Sequence, residues 1–317
     1  VQRSSETAAA GVAARYTSGA SARDKYRRKT SGENKAGISA RALFPMENPT
    51  AWRRQKRLFA LPFKVGCWHN THRGGPQMDV VGTANRREAT NFVACAANLR
   101  DHGFAYGSLR GEVAPFLLHE FQGYWDKLPR DPYLPPEFGT RLRRHGRFEY
   151  DTAVGKFSPL TAQPYFQSRE TNPVMGGMQR SFEPLLPEAA THPVLHAILQ
   201  HSATVFPLCE NAGWLVNTHF IRIPTTLGAK GCPCPEGIHS DGFEYISIQL
   251  IQRHRIKGAL TRLFHNDQRP LATVNLQYPL DALFADDRKV LHYTDDFTPD
   301  ETADGFRDTL LVSYERR

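Results

Sequence analysis

The spacing of hydrophobic positions changes along this chain. In REATNFVACAANLRDHG (87–103), Phe92, Val93, Ala96 and Leu99 fall at helical spacing, and Gly103 stands where a helix would stop. EVAPFLLHEFQGYWDKLP (112–129) predicts a second helix, closed by Pro129. HPVLHAILQHSATVFPLCENAG (192–213) predicts a third, with Thr191 as its N-cap and Leu195, Ile198, Leu199 and Val205 on one face. His196 and His201 on that helix are five apart with no carboxylate to complete a ligand set, so they read as surface or core-edge residues. The Pro-, Arg- and aromatic-rich stretch 141–185 between the second and third helices reads as strands and ordered loops.

From residue 214 the period shortens to two. WLVNTHFIRI (214–223), FEYISIQLI (243–251), LTRLF (260–264), LATVNLQ (271–277), KVLHYT (289–294) and DTLLVSYER (308–316) all predict strands. Turns are expected at Asn266-Asp267, Asp286-Asp287 and Pro299-Asp300. A run of about eight short strands at this spacing predicts an α+β protein with a double-stranded β-helix core, a cupin-like jelly roll, buttressed by the helices before it. The expected organisation is a disordered basic segment over 1–45 and one domain over 46–317, with a helical buttress at about 80–213 and barrel strands at about 214–317.

Charge changes this picture only at the N-terminus. The chain carries +8, but residues 1–45 hold nine Lys/Arg against three Asp/Glu, so +6 lies there and +2 in the remainder. A near-neutral folded part gives no electrostatic support for nucleic-acid binding. The Ala-, Ser-, Gly- and Arg-rich segment has little to pack, and MENPTAWRRQKRLFALPF suggests a start at Met46. Arg53-Arg54 before LFALPF lacks the apolar run of an export signal, and no stretch approaches the ~18 apolar residues of a membrane span. Five cysteines, Cys67, Cys95, Cys209, Cys232 and Cys234, are an odd number without a secreted framework, so reduced thiols and a cytoplasmic setting are expected. Cys232-Pro-Cys234 has no second Cys/His pair at zinc-ligand spacing and reads as a stiff loop.

The candidate chemistry lies in PCPEGIHSDGFEYISIQLI (233–251). His239 and Asp241 are two apart, and in a strand such residues share a face. Extending that alternation predicts that Phe243, Tyr245, Ser247 and Gln249 line a pocket with the pair, opposite a greasier Ile246, Ile248 and Leu250. A second His-x-Asp, His265-Asn266-Asp267, lies in the turn HNDQRP and is set aside. His292, 51 residues after Asp241 in KVLHYT, can complete a two-histidine, one-carboxylate site that leaves positions open on Fe(II). Open positions admit dioxygen and a chelating keto acid such as 2-oxoglutarate, whose distal carboxylate needs a bidentate cation. Arg307, fifteen residues after His292, is the candidate, with Thr309 adding a hydroxyl from the same strand face.

Together PEGIHSDGFEYISIQLIQRHRIKG, LFADDRKVLHYT and GFRDTLLVSYE resemble the 2-oxoglutarate/Fe(II) dioxygenases that include bacterial L-isoleucine 4-hydroxylase and related free L-amino-acid hydroxylases. The similarity spans roughly 80–317, including YFQSRETNPVMGGMQRSFEPL. It implies His239, Asp241 and His292 as catalytic iron ligands and Arg307 as the 2-oxoglutarate anchor. The implied reaction is hydroxylation of an unactivated C–H bond of a small-molecule substrate, an L-amino acid, with release of succinate and CO2 and no nucleic-acid or membrane partner. Tyr165, Gln167, Asn172, Arg180 and His219 are the candidates for gripping that substrate, His219 because it shares parity with Asn217. The basic segment 1–45 has no counterpart in the family pattern. The alternatives are the same iron chemistry on a peptide or carrier-bound residue, and a cupin-like metal-binding domain without turnover.

Overall fold

The computed structural model describes residues 78–80, 92–210, 212–300 and 303–317. Segment 1–45, Met46, Arg53, Arg54, Cys67 and the beginning of the 87–103 helix lie outside the described residues. In chain order the elements begin with β1 (Met78–Val80), α1 (Phe92–His102), β2 (Phe104–Ser108), α2 (Pro115–Gln122), β3 (Leu142–Asp151) and β4 (Lys156–Leu160). Then come β5 (Tyr165–Phe166), β6 (Gln179–Arg180), α3 (Pro187–Ala190), α4 (Pro193–Val205), β7 (Gly213–Thr225) and β8 (Tyr245–His254). The last are β9 (Ile256–Gly258), β10 (Thr261–His265), β11 (Pro270–Val274), β12 (Asp281–Asp286), β13 (Val290–Thr294), β14 (Phe297–Pro299) and β15 (Gly305–Arg316).

Seven strands form one antiparallel sheet in the order β2-β12-β8-β15-β7-β3-β4. Four form a second, β1-β11-β10-β13, antiparallel except for the β1/β11 pair. Their inner faces share a core, in which Phe104, Ile248, Leu250 and Leu283 of the larger sheet pack with Leu263, Ala272 and Val274 of the smaller one. The outer face of the larger sheet carries the helices: Phe220, Phe284, Leu310, Val312 and Tyr314 pack with Leu99, Phe121, Leu195, Ile198 and Leu199. Trp125 stacks on Phe220 at 4.3 Å between ring centroids and donates from Nε1 to the Ile221 carbonyl at 3.1 Å. Two layers of strands with helices against one of them make the predicted α+β jelly roll.

The elements depart from the sequence reading at identifiable places. Helix α4 stops at Val205, because Pro207 drives Phe206 into an extended conformation (φ −78°, ψ 138°). Its N-cap is His192, not Thr191. Pro193 at the first helical position holds His192 extended, and the His192 Nδ1 accepts the Val194 N–H at 3.2 Å. Thr191 instead turns its hydroxyl back to the Pro187 carbonyl. Helix α2 is only eight residues long, ending at Gly123.

Strand β12, DALFAD, escapes a period-two pattern because it is buried along its whole length between β2 and β8. The region read as a helical buttress also supplies β2, β3 and β4 to the larger sheet. The HNDQRP turn is a hairpin tip between β10 and β11, with Gln268 at φ +64°. His201 is buried, packed edge-on against Phe284 at 5.1 Å. Among the described residues no helix is long and apolar enough to cross a membrane, and Cys95, Cys209, Cys232 and Cys234 are free thiols.

Candidate metal centre and active site

His239 and Asp241 sit in the loop that enters β8, not in the strand itself, which begins at Tyr245. The loop is anchored twice. His239 and His292 exchange backbone hydrogen bonds, N–H to carbonyl, at 3.1 and 2.8 Å. Beyond it, the Asp287 carboxylate accepts the backbone N–H groups of Asp241, Gly242 and Phe243 at 3.1, 2.7 and 3.0 Å. Gly242 takes φ +86°, a conformation that glycine adopts without strain.

That turn breaks the alternation extended from the pair into the strand. Ile248 lines the cavity beside the pair, while Ser247 bonds the hydroxyl of Ser202 on α4 and Tyr245 stacks on Phe206. Tyr245 and Ser247, predicted to line the pocket, therefore pack on the helices, and Ile248 of the apolar face lines it instead.

The His239, Asp241 and His292 side chains are 8, 10 and 5 % exposed, and one potential ligand atom from each lies within 4.8 Å of the others. His239 Nδ1 is 2.8 Å from the Gly237 carbonyl, which can only accept, so this nitrogen carries the proton. Nε2 is left facing Asp241 Oδ1 at 3.8 Å and Glu236 Oε1 at 3.3 Å. Asp241 Oδ2 is 3.8 Å from His292 Nε2.

Burial opposes charge on His239, but the carboxylates of Asp241 and then Glu236 outweigh it and hold the imidazole above its ordinary value. Burial raises the Asp241 carboxyl, and burial together with His239 pushes His292 well below the usual histidine range. Asp241 Oδ2 and His292 Nδ1 are buried without a hydrogen-bond partner. Two imidazoles and one carboxylate, crowded and incompletely satisfied, fit a divalent iron ion.

The same cavity reaches Arg307 and Thr309 on β15. Alternation along this strand sends Leu310, Val312 and Tyr314 to the helices and Arg307, Thr309 and Leu311 to the cavity. Arg307 is 3 % exposed, and its Nε and Nη2, which share one edge of the guanidinium, have no hydrogen-bond partner. Burial and the nearby Arg253 cation push its pKa down to about 10. A buried guanidinium edge of this kind fits a carboxylate.

The substrate candidates divide. Tyr165, Gln167, Asn172 and Arg180, from β5, β6 and the loop joining them, all line the cavity. Gln167 is central: its Nε2 donates to the Asp241 carbonyl at 3.0 Å, and its Oε1 accepts from Arg180 Nη2 at 2.6 Å. Asn172 Oδ1 fixes the loop by accepting the Met175 N–H at 2.7 Å.

His219 lies behind this wall. It points to the inner side of the sheet, but Arg143 covers it, donating from Nη2 to Nδ1 at 2.8 Å, and His219 does not line the cavity. Arg222, on the same strand, pairs with Asp308 and Asp126 instead.

The sequence reading missed four residues. Arg141 and Arg143 alternate onto the cavity side of β3 and its approach, and the signal was their i, i+2 spacing in RLRR. Glu236 lines the cavity from the PEG turn. Asp287 was read only as a turn residue, although it holds the metal loop from 46 residues away.

The fold and the site together agree with what comparison with known proteins finds. A search of curated proteins returns no significant match. Among solved structures, a BsmA homologue from Methylobium petroleophilum PM1 is 27 % identical, over 71 % of this chain and 92 % of that one, with a TM-score of 0.64. IDO from Bacillus thuringiensis, 19 % identical over 72 % of this chain and 100 % of its own, shares the fold with a TM-score of 0.61. The Fe(II)/α-ketoglutarate-dependent dioxygenase TqaL shares it at 0.50, with 17 % identity over 71 % of this chain and 86 % of its own. The family model for 2OG-Fe dioxygenases matches residues 122–313, a span that holds the histidine-aspartate-histidine cluster and Arg307. The chain belongs to the 2OG-Fe dioxygenase family, and its chemistry is oxygenation dependent on Fe(II) and 2-oxoglutarate.

Proposed function

We propose that this protein hydroxylates an unactivated C–H bond of a free amino acid or a closely related small metabolite. The observation that carries the reading is one cavity with three chemically distinct parts: a His239/Asp241/His292 cluster, an unpartnered guanidinium edge at Arg307, and a polar wall of Arg180, Gln167, Asn172 and Tyr165.

In this reading His239, Asp241 and His292 hold Fe(II), and Arg307 with Thr309 holds the distal carboxylate of 2-oxoglutarate. Iron with 2-oxoglutarate and dioxygen supplies the oxidising power, one oxygen atom entering the substrate as hydroxyl and the other entering succinate as CO2 leaves. The protein's part is positioning. The Gly237 carbonyl fixes the ring orientation of His239, and Asp287 holds the loop that carries Asp241. Arg180 takes the substrate carboxylate, with Gln167 linking it to the metal loop. Met175, Ile248 and Leu311 supply apolar wall that keeps bulk water away from the reacting carbon.

The burial of this wall favours a small metabolite over a peptide or carrier-bound residue. Tyr165, Gln167, Asn172, Met175 and Arg180 are each less than a tenth exposed, whereas a polymeric substrate calls for an open groove.

The test is anaerobic loading with Fe(II) and 2-oxoglutarate, followed by succinate release with a panel of L-amino acids. A visible charge-transfer band that weakens in Arg307→Ala, and substrate-dependent succinate, are expected. An intact protein that gives no band, or a band formed with full affinity in Arg307→Ala, overturns the co-substrate assignment. Release stimulated only by peptides overturns the small-metabolite reading.

A further inference from the structure

The substrate wall holds more positive charge than a neutral amino acid can use. Arg141, Arg143 and Arg180 all line the cavity, and each is 6 % exposed or less. Arg141 is compensated, since its Nε donates to Asp131 Oδ2 at 2.9 Å. Arg143 is compensated only in part: its Nε and Nη2 both turn to the neutral ring nitrogen of His219, and the Asp131 carboxylate it shares with Arg141 stays 3.9 Å from Nη1, an ion pair beyond hydrogen-bond range. Arg180 bonds the neutral amide of Gln167, and its Nε has no partner.

Both guanidiniums pack on aromatic rings, Arg143 at 4.2 Å from Phe182 and Arg180 at 5.1 Å from Tyr165. Burial and the neighbouring Arg141 cation push Arg143 down to about 9, and burial lowers Arg180 as well. Two buried cations, one only sharing Asp131 with Arg141 and the other with no carboxylate in contact, are costly unless a ligand brings the anions.

One further carboxylate faces the same space, with one oxygen 3.3 Å from His239 Nε2 and the other free. Glu236 lines the cavity, its side chain is 9 % exposed, and its Oε2 has no hydrogen-bond partner. Iron, Asp241, 2-oxoglutarate and Arg307 together sum to zero charge, as do Arg141 and Asp131. Among the charged side chains that line the cavity, what remains is two arginines and one glutamate, a net +1. A neutral zwitterion leaves that charge unbalanced, whereas an amino acid with an acidic side chain carries −1 and cancels it.

Building on the amino-acid reading above, we propose that the substrate is a dicarboxylic amino acid, with its two carboxylates on Arg143 and Arg180 and its ammonium group on Glu236. The site then discriminates by charge at both ends of the molecule, since each polar group of the substrate meets a buried side chain of opposite sign.

The test is calorimetric binding to the anaerobic Fe(II)/2-oxoglutarate complex. The probes are L-aspartate and L-glutamate, their amides L-asparagine and L-glutamine, the aliphatic L-leucine and L-isoleucine, and glutarate, which lacks the amine. An acidic amino acid should bind at least about tenfold more tightly than its amide. Arg143→Gln should reduce that ratio towards one and Arg143→Lys should restore part of it, with the co-substrate charge-transfer band present in both. Glu236→Gln should weaken glutamate without weakening glutarate. Equal or tighter binding of the amides or aliphatic amino acids overturns the charge assignment and leaves the amino-acid reading standing. Binding of none of the amino acids by a complex that shows the band overturns both.

Discussion

His239 and His292 are joined through their backbones as well as brought together through their rings, each donating its N–H to the other's carbonyl, at 3.1 and 2.8 Å. The ring centroids lie 4.3 Å apart. This bridge uses no side-chain atom, so the scaffold of the site is separable from its ligands. His292→Ala should therefore keep its thermal midpoint in the metal-free protein and lose more Fe(II) affinity than the roughly 10–100-fold typical of residues that only orient a ligand. Metal titration and thermal melting read the two effects. Unchanged affinity would remove His292 from the ligand set.

Asp287 tests the loop rather than the ligands. One carboxylate accepts three successive backbone N–H groups, and an amide with a single acceptor oxygen cannot serve all of them. Asp287→Asn should weaken Fe(II) binding by about 10–100-fold. Retention of full affinity, read by the same titration, would show that the loop holds its shape without this carboxylate.

Gly176 sits in the loop that carries the substrate wall. A methyl group there would collide with the backbone carbonyls of Ser168 and Asn172. Gly176→Ala should cost about 1–3 kcal/mol by overpacking and raise KM for the organic substrate. The KM for 2-oxoglutarate should stay unchanged, because Arg307, its proposed anchor, lies on a different strand. Steady-state kinetics with each substrate varied in turn would separate the two.

Acid should unfold the protein partly through two buried histidines. Burial holds His201 neutral with a pKa pushed down to about 3, and burial with the Arg143 cation does the same to His145. Below pH ~6.5 the unfolded chain takes up these protons and the folded one does not, so stability falls with falling pH. Well below pH 6.5 each histidine withdraws about 1.4 kcal/mol per pH unit, and the loss ends near its folded pKa. In urea titrations at several pH values, His201→Gln should flatten the slope by one proton's worth. An unchanged slope would mean that His201 is protonated in the folded state.

The jelly roll and the iron cluster were legible because they rest on short-range patterns: period-two strands from 214 onward, a His-x-Asp pair, and a later strand histidine. That Arg307 would share a cavity with the cluster was legible from its position after His292. What escaped depends on contacts across the fold. The inward face of β8 was misassigned because Gly242 at φ +86° lies between the pair and the strand, and one turn residue reverses the parity of all that follows. His219 has the predicted orientation, but nothing local announces that Arg143, paired across from Ile221, would cover it. Asp287 has the composition of a turn and acts through backbone groups of another loop.

The division of the site between ladder and loop bears on how its specificity can change. The His239/Asp241/His292 cluster, Arg307 and Thr309 are placed by β13, β15 and the bridge between His239 and His292, whose register the core dictates. Gln167, Asn172 and Arg180 ride on two-residue strands and the loop between them. Gln167, which donates to the Asp241 carbonyl, joins the two parts. Substitutions at Asn172 and Thr309 should then combine additively in their effects on turnover, while changes at Gln167 and Asp241 should not. Such a layout lets selection exchange the substrate while the oxidising machinery stays the same, so long as the glutamine joint is kept.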